Sequence, residues 1–461
     1  MTILDQLGEL TASGEPNPAE RERVRLHMMD GLAAFIAAAR AQEGARILRL
    51  GAQPARLSAL AEGTLDTITR RVAVARSSEI DDIHMQAGVT AGALIAPTAL
   101  TLARTFASDP ETLAAAIWCG YEIAGRLGTA IAGARLLYRG VWPTYLLAPV
   151  VTASVTARLL RLSPQGCANA LALALTASSG GVGSPPDSAT RFLAAGTAAR
   201  AGASAALAAQ DGFLADRTLL DDDWLLRVHG VALDAAAIAQ SEPPGAMAEL
   251  SFKPWCAAKQ TIAAIDGFLD ILQRSRGAHT ITKVRAATPP LYVKMVGHSQ
   301  CATRIGRIVS LPYQLALAAL RPEALIDVTR RDFSREPDIA AFMARVSVAG
   351  EEELMRHFPR NWPARVEVHF DDGSIDQQLV TQAPGDPQRP FDRAQCEAKF
   401  QSLVAPNLGS KASSSLLEAG RSAFDSRDSL NLLLAGVEDA ARALCEASEQ
   451  AVPASTRGVA S

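Results

Sequence analysis

Apolar residues recur at close to helical spacing along most of this 461-residue chain, broken only by short polar punctuation. Within the first 75 residues, Val24, Met28, Leu32 and Phe35 fall at near-turn spacing, as on the buried face of a helix. The same pattern predicts helices over 89–108, 111–127, 148–160, 164–177 and 189–210. Asp109-Pro110-Glu111 marks the start of the second of these, because proline suits the first helical turn and an acidic residue suits its positive end. Six or more helices this rich in alanine imply a closely packed multi-helix core.

The periodicity changes after about residue 276. Thr280–Ala287 alternates like a strand, and Ala364–Phe370 does so more clearly. Asp371-Asp372-Gly373 is a turn signal, followed by a return strand over Gln377–Val380. Helical patterns at 309–320 and 337–345 lie between the strands, and Cys396–Leu403 and Leu432–Ala447 return to helix. The order predicts a mainly α protein: a large multi-helix bundle domain with an inserted smaller α+β domain. Its boundaries fall at 1–266 and 401–461 for the discontinuous helical domain and at 267–400 for the α+β lid. Gln382–Pro390 reads as a linker and Ala451–Ser461 as a loose tail.

Composition narrows the function classes. Hydrophobic residues make up 48% of the chain, enough for two or three domains, and the formal net charge of −3 favours neither nucleic acid nor an anionic membrane as partner. The apolar run at 141–157 contains Pro143 and Pro149 and ends at Arg158, so it predicts a core helix rather than a membrane span. The first residues, with Asp5, Glu9 and Glu15, have no basic leader, and a soluble cytoplasmic protein is expected. Six scattered cysteines without a CxxC pair indicate neither a disulfide framework nor a zinc site. Gly180–Pro186 lacks the lysine and spacing of a phosphate loop and is expected to be a turn or a pocket-lining loop.

Ionisable residues are few within the helical region, so their positions carry information. Asp81-Asp82-Ile83-His84 is the densest cluster. Either an aspartate caps the next helix and His84 is satisfied locally, or the cluster lines a cleft that orients a carboxylated or hydroxylated substrate. Lys253 precedes Pro254, which restricts its backbone; a lysine there can pair with a substrate carboxylate or carry a proton, and Lys259 lies close enough to assist. Tyr313 could donate to a developing enolate, pass a proton through a short network or simply pack, while Tyr145 and Trp142 could line a pocket or simply pack. Arg191 would be costly to bury unpaired and could either reach solvent or hold a carboxylate. Cys256 has no local base and is expected to pack as a buried thiol.

Asp81-Asp82-Ile83-His84, Ile95–Leu100, Gly120–Gly128, Ala195–Arg200, Gln210–Phe213, Phe252–Trp255, Leu311–Tyr313 and Lys399-Phe400 together resemble the MmgE/PrpD family. That family includes 2-methylcitrate dehydratase, cis-aconitate decarboxylase and iminodisuccinate epimerase. The resemblance implies a helical domain and an α+β lid with a cleft between them, a homodimer, no nucleotide cofactor, and proton removal next to a carboxylate; no cofactor is expected, and the missing HExxH and spaced His/Asp patterns speak against a metal. It implies Asp82, Lys253 and Tyr313 as catalytic residues, with His84 beside them. Arg191, Trp142, Thr90, Tyr145 and Lys259 are then candidates for substrate binding. Four positions where the family pattern has histidine hold Thr90, Trp142, Ala194 and Ile262. Since histidine is the ordinary proton carrier near neutral pH, the departures point to altered chemistry. The expected activity is a cofactor-independent lyase that abstracts a proton adjacent to the carboxylate of a small organic acid, losing water or carbon dioxide. An epimerase and a non-catalytic small-acid-binding protein are the alternatives; no nucleic acid or membrane partner is expected.

Overall fold

The computed structural model describes residues 1–51, 63–180, 188–239, 245–275, 279–299 and 301–450. Within them the chain is mainly helical, with one four-stranded sheet and one two-residue ladder. The expectations for Gly181–Pro186 and for the tail at 451–461 lie outside the described residues.

The predicted helices form, with ends set by local chemistry. Pro18–Ala38 starts with a capping box in which Asn17 and Glu20 satisfy each other's backbone amides. Pro110–Ala130 starts where Asp109 accepts from the Thr112 amide. Pro143–Leu159 begins at Pro143 rather than at 148 and runs through Pro149. The Thr152 hydroxyl donates to the Ala148 carbonyl and to the Ala199 carbonyl of the neighbouring helix. Thr190–Gln210 is the one described helix long and apolar enough to cross a membrane, and half of its apolar window is buried against other helices, as a core helix would be.

Close packing here depends on missing side-chain volume. Gly202 on Thr190–Gln210 faces the Pro149 carbonyl so closely that a Cβ would overlap both that oxygen and the Thr152 hydroxyl. Alanine, glycine and threonine thus let the two backbones approach, which accounts for the composition of this region.

The smaller part is built on strands β3 (Ile281–Thr288), β4 (Val346–Gly350), β5 (Ala364–Phe370) and β6 (Ile375–Val380), in the order β4-β3-β5-β6. β5 and β6 form the predicted hairpin; β4 lies parallel to β3 and was not expected. Parallel pairing needs a crossover, here supplied by the helices Pro290–Val296, Arg304–Val309, Leu311–Leu320 and Pro337–Met343. The stretch expected as one helix over 309–320 is broken at Ser310, whose hydroxyl accepts from the Tyr313 amide and caps the second piece. Ala364, Val366, Val368 and Phe370 turn inward onto the helix Lys259–Ser275, forming a second core with Ile262, Phe268 and Tyr313.

A two-residue ladder joins distant segments of the chain: β1 (Ile83–His84) pairs with β2 (Leu250–Ser251), setting Ile83 opposite Ser251. The segment Gln382–Pro390, expected as a linker, is strapped down. The Phe252 amide donates to the Gly385 carbonyl, and Asp386 is buried against Lys259.

Substituting Gly202→Ala gains about 1 kcal/mol of helix propensity, but overpacking against a backbone carbonyl costs roughly 1–3 kcal/mol. Urea unfolding is expected to show a lower midpoint for this variant at an unchanged slope.

Candidate active site

The helix Thr64–Arg76 ends in a loop, Ser77 to Asp82, that carries three acids into the interior. Glu79 adopts φ +57°, a left-handed conformation that side chains other than glycine's seldom take. The turn directs its carboxylate at two arginines: Arg191 Nη2 lies 2.7 Å from Glu79 Oε1, and Arg76 Nη2 donates to Oε2 at 3.3 Å. Arg76 also donates to Asp81 Oδ1 at 3.0 Å. The β1–β2 ladder brings Lys253 to the same place, its Nζ 3.3 Å from the Glu79 carbonyl and 3.7 Å from Asp81 Oδ1. All five side chains are buried.

All of these except Asp81 open onto a cavity at the seam of the two cores. Arg76, Glu79, Thr90, Trp142, Thr144, Arg191 and Lys253 line one side, and Lys259, Gln260, Met295, Val309 and Trp362 the other. It leaves about 50 Å³ to the centres of water-sized molecules, several times the roughly 10–15 Å³ that one water needs. A small ligand is the size that fits. Arg191 also stacks its guanidinium 5.1 Å from the centre of the Trp142 ring. Thr144 accepts from the Thr90 amide at 3.1 Å, joining the turn before one helix to the start of another. Lys259 is held by Asp386 and by the Ser251 hydroxyl at 3.1 Å.

Burial sets the charge states. It pushes the Glu79 carboxyl up, but Arg191, Arg76 and Lys253 together outweigh it and hold the group down at about 2. Burial lowers the Lys253 ammonium, with Asp81 and Glu79 opposing, and this moves the amine toward the form that can accept a proton. Burial raises Asp81. No histidine lines the cavity among the described residues.

Of the residues singled out from the sequence, Lys253, Arg191, Trp142, Thr90 and Lys259 meet at this wall. Asp82, His84, Tyr145 and Tyr313 do not. Asp82 is fully buried behind the wall and saturated by His27 Nδ1 and the Tyr121 hydroxyl, both at 2.7 Å, and by the Gly92 amide at 2.8 Å. Its contacts are those of a framework anchor, and a Cβ at Gly92 would sit 2.8 Å from its carboxylate. His84 lies in the ladder beside Gly125, accepts from the Ala87 amide, and is lowered to about 4 by burial, so it is neutral near pH 7. Tyr145 packs under Trp142. Tyr313 is buried in the second core, where Arg330 and Arg307 are its nearest cations. Cys256 packs as a buried thiol, 3.1 Å from the Ser78 carbonyl.

Two of the four positions that depart from histidine, Thr90 and Trp142, face the cavity; Ala194 is half-buried on its helix and Ile262 is deep in the second core. Arg76 and Glu79 were not anticipated. Their signal was present in the sequence: Arg76 continues the buried run Val72–Ala75, and Glu79 precedes two further acids in an otherwise apolar region.

The profile of the MmgE/PrpD N-terminal domain matches residues 8–231 and that of the MmgE/PrpD C-terminal domain matches residues 255–422. The chain belongs to the MmgE/PrpD family. It is 27% identical over 154 residues to a cis-aconitate decarboxylase-like protein of Aspergillus oryzae, covering 32% of each chain. It is 26% identical over 154 residues to a cis-aconitate decarboxylase of Aspergillus terreus, covering 32% of this chain and 31% of that protein. The matched stretch spans about a third of the length of these curated relatives.

The His84 ring gives a pH test of this burial. Its pKa is about 4 in the folded protein against 6.5 for the free side chain, so between these values the unfolded chain binds the extra proton. Stability tied to His84 is therefore full above pH 6.5 and is lost as pH falls toward 4, by on the order of 3 kcal/mol. Urea midpoints measured from pH 7 to 4 are expected to fall less steeply in His84→Gln than in the wild type.

Proposed function

We propose that this MmgE/PrpD-family protein is a cofactor-independent lyase that removes a proton next to the carboxylate of a small organic acid, with loss of water or carbon dioxide. The observation that carries the proposal is a buried lysine, Lys253, in a small cavity that also holds Arg191 and Lys259 and has no histidine among its described lining residues. Arg191 and Lys259 meet the substrate carboxylate, and the charge that builds up on it as the α-proton leaves is stabilised by these same groups. Lys253, with its ammonium disfavoured by burial, acts as the base: Nζ takes the proton from Cα and the electron pair enters the carboxylate system. Lys259 donates to a departing hydroxyl, which leaves as water while the carbon–carbon double bond forms. Thr90, Trp142 and Thr144 shape the wall around the acid. Arg76 and Glu79 hold Arg191 in place rather than taking part in proton transfer.

Epimerisation is the second reading, and one observation favours it. Lys253 and Lys259 are two amines at one cavity with separate acid partners, Asp81 and Asp386, as removal and return of a proton by different groups requires. A homodimer in the cytoplasm is proposed alongside either activity. Phe213 and Leu214 are 61% and 81% exposed, close in the chain to the exposed Leu226 and Val228, and apolar surface of this kind is what a subunit contact covers.

With small hydroxy acids in deuterated water, mass loss of water or carbon dioxide supports the lyase, while deuterium incorporation with scrambled stereochemistry and no alkene supports the epimerase. Lys253→Met is expected to lower kcat by about 10²–10⁴-fold with the circular dichroism spectrum unchanged, whereas Tyr313→Phe stays within about twofold. Wild-type turnover by Lys253→Met would remove the base assignment. Light scattering is expected to give a mass near twice the 48.5 kDa of one chain, and a mass of one chain would refute the dimer.

A further inference from the structure

We propose that the cavity selects a monocarboxylate with an apolar body, a specificity fixed by Glu79; this rests on the acid-binding reading above. The argument is the charge inventory of the wall. Its cations are Arg76, Arg191, Lys253 and Lys259. Three carboxylates of the protein already answer them: Glu79 takes Arg76 and Arg191, Asp81 takes Arg76 and faces Lys253, and Asp386 takes Lys259. Four buried cations against three buried anions leave a single positive charge for a ligand to balance, and the sum is unchanged when the Lys253 proton passes to the Asp81 carboxylate, 3.7 Å away, to give the neutral amine that acts as base.

Of the charges just behind the wall, Arg330 does not line the cavity and is spent on the backbone carbonyls of Ala324, Leu325, Asp327 and Cys256, and the others are paired. Lys399 is paired with Asp30, His27 with Asp82, and Arg304 with Glu43. A second carboxylate on the ligand would therefore be buried without a counter-ion, against Leu137, Trp142, Met295, Val309 and Trp362. Glu79 is the residue on which the tally turns, because its carboxylate occupies the two arginines that would otherwise receive a second acid group. The backbone is held at φ +57° to put it there.

The inventory also narrows the reaction. A monocarboxylate keeps its anchor through loss of water from Cβ or through epimerisation at Cα. Loss of carbon dioxide would remove the one group that holds it.

Calorimetric titration of wild-type protein with chain-matched pairs tests the proposal: butanoate against succinate, and 2-hydroxybutanoate against malate. The monocarboxylate is expected to bind at least about tenfold tighter in each pair. Glu79→Gln, checked for folding by circular dichroism, frees one positive charge and is expected to move the ratio toward the dicarboxylate by about tenfold. Equal or tighter dicarboxylate binding in the wild type would overturn the monoanion assignment while leaving the acid-binding reading in place. Binding of none of the four acids would overturn that reading and the proposal with it. The wild-type comparison decides the question even where Glu79→Gln fails to fold.

Discussion

Everything at the seam of the two cores depends on one buried cluster, in which Glu79 and Asp81 are matched to Arg76, Arg191 and Lys253. An unpaired ion in such a place costs several kcal/mol, and each member avoids that cost only while the others stay put. The cluster therefore fixes backbone as well as charge. The loop from Ser77 to Asp82 can neither slide nor relax, because a one-residue shift would turn Glu79 away from Arg191 and uncouple Ile83 from Ser251. That coupling is what delivers Lys253 from far along the chain. The left-handed backbone at Glu79 is the local strain the cluster sustains.

The surrounding helices make this possible by being small. Thr98, Thr101, Thr152 and Thr156 return their hydroxyls to carbonyls three or four residues back, so buried polar atoms are satisfied without lengthening the contact between helices. Glycines at 92 and 202 sit where a methyl group would strike the Asp82 carboxylate and the Pro149 carbonyl. A wall built this way has little room to rearrange. The positions of Arg76 and Arg191 are consequences of helix packing before they are consequences of charge.

Much of this was legible in the sequence, and the limits have physical causes. Long alanine- and leucine-rich runs bounded by Asp109-Pro110, Ser163-Pro164 and Asp211-Gly212 mark helices whatever face they bury, and the helices at 110–130, 164–176 and 190–210 follow those bounds closely. β5 alternates cleanly because one face is buried, whereas β4 has mostly exposed and half-buried side chains and leaves a weak imprint. The β1–β2 ladder is two residues long and has no periodicity to detect, yet it joins Lys253 to the Asp81 loop. Residue type located the charged positions but not their direction. Asp82 and Asp81 are neighbours, and only the fold turns one into a saturated anchor behind the wall and the other toward Lys253. Tyr313 and Ile262 belong to the second core, where a long-range contact map decides which side chains see the cavity.

The same cluster explains how a cavity could change its ligand without changing its shape. In a site where bound acid supplies most of the counter-charge, ligand charge and arginine count must vary together. Here the chain supplies three carboxylates of its own, two from the loop before β1 and one from the strap at Asp386. The charge asked of a bound acid would then be set by Glu79 on the wall and by Asp81 and Asp386 behind it, while Trp142, Met295 and Trp362 would set its bulk. Size and charge become separable, and neither Thr90 nor Trp142, which face the cavity, can carry a proton near neutral pH. Lys253, enclosed by Glu79 and Asp81 yet disfavoured as an ammonium by burial, is a group whose charge the protein itself controls, which is what the proposed role of base asks of it.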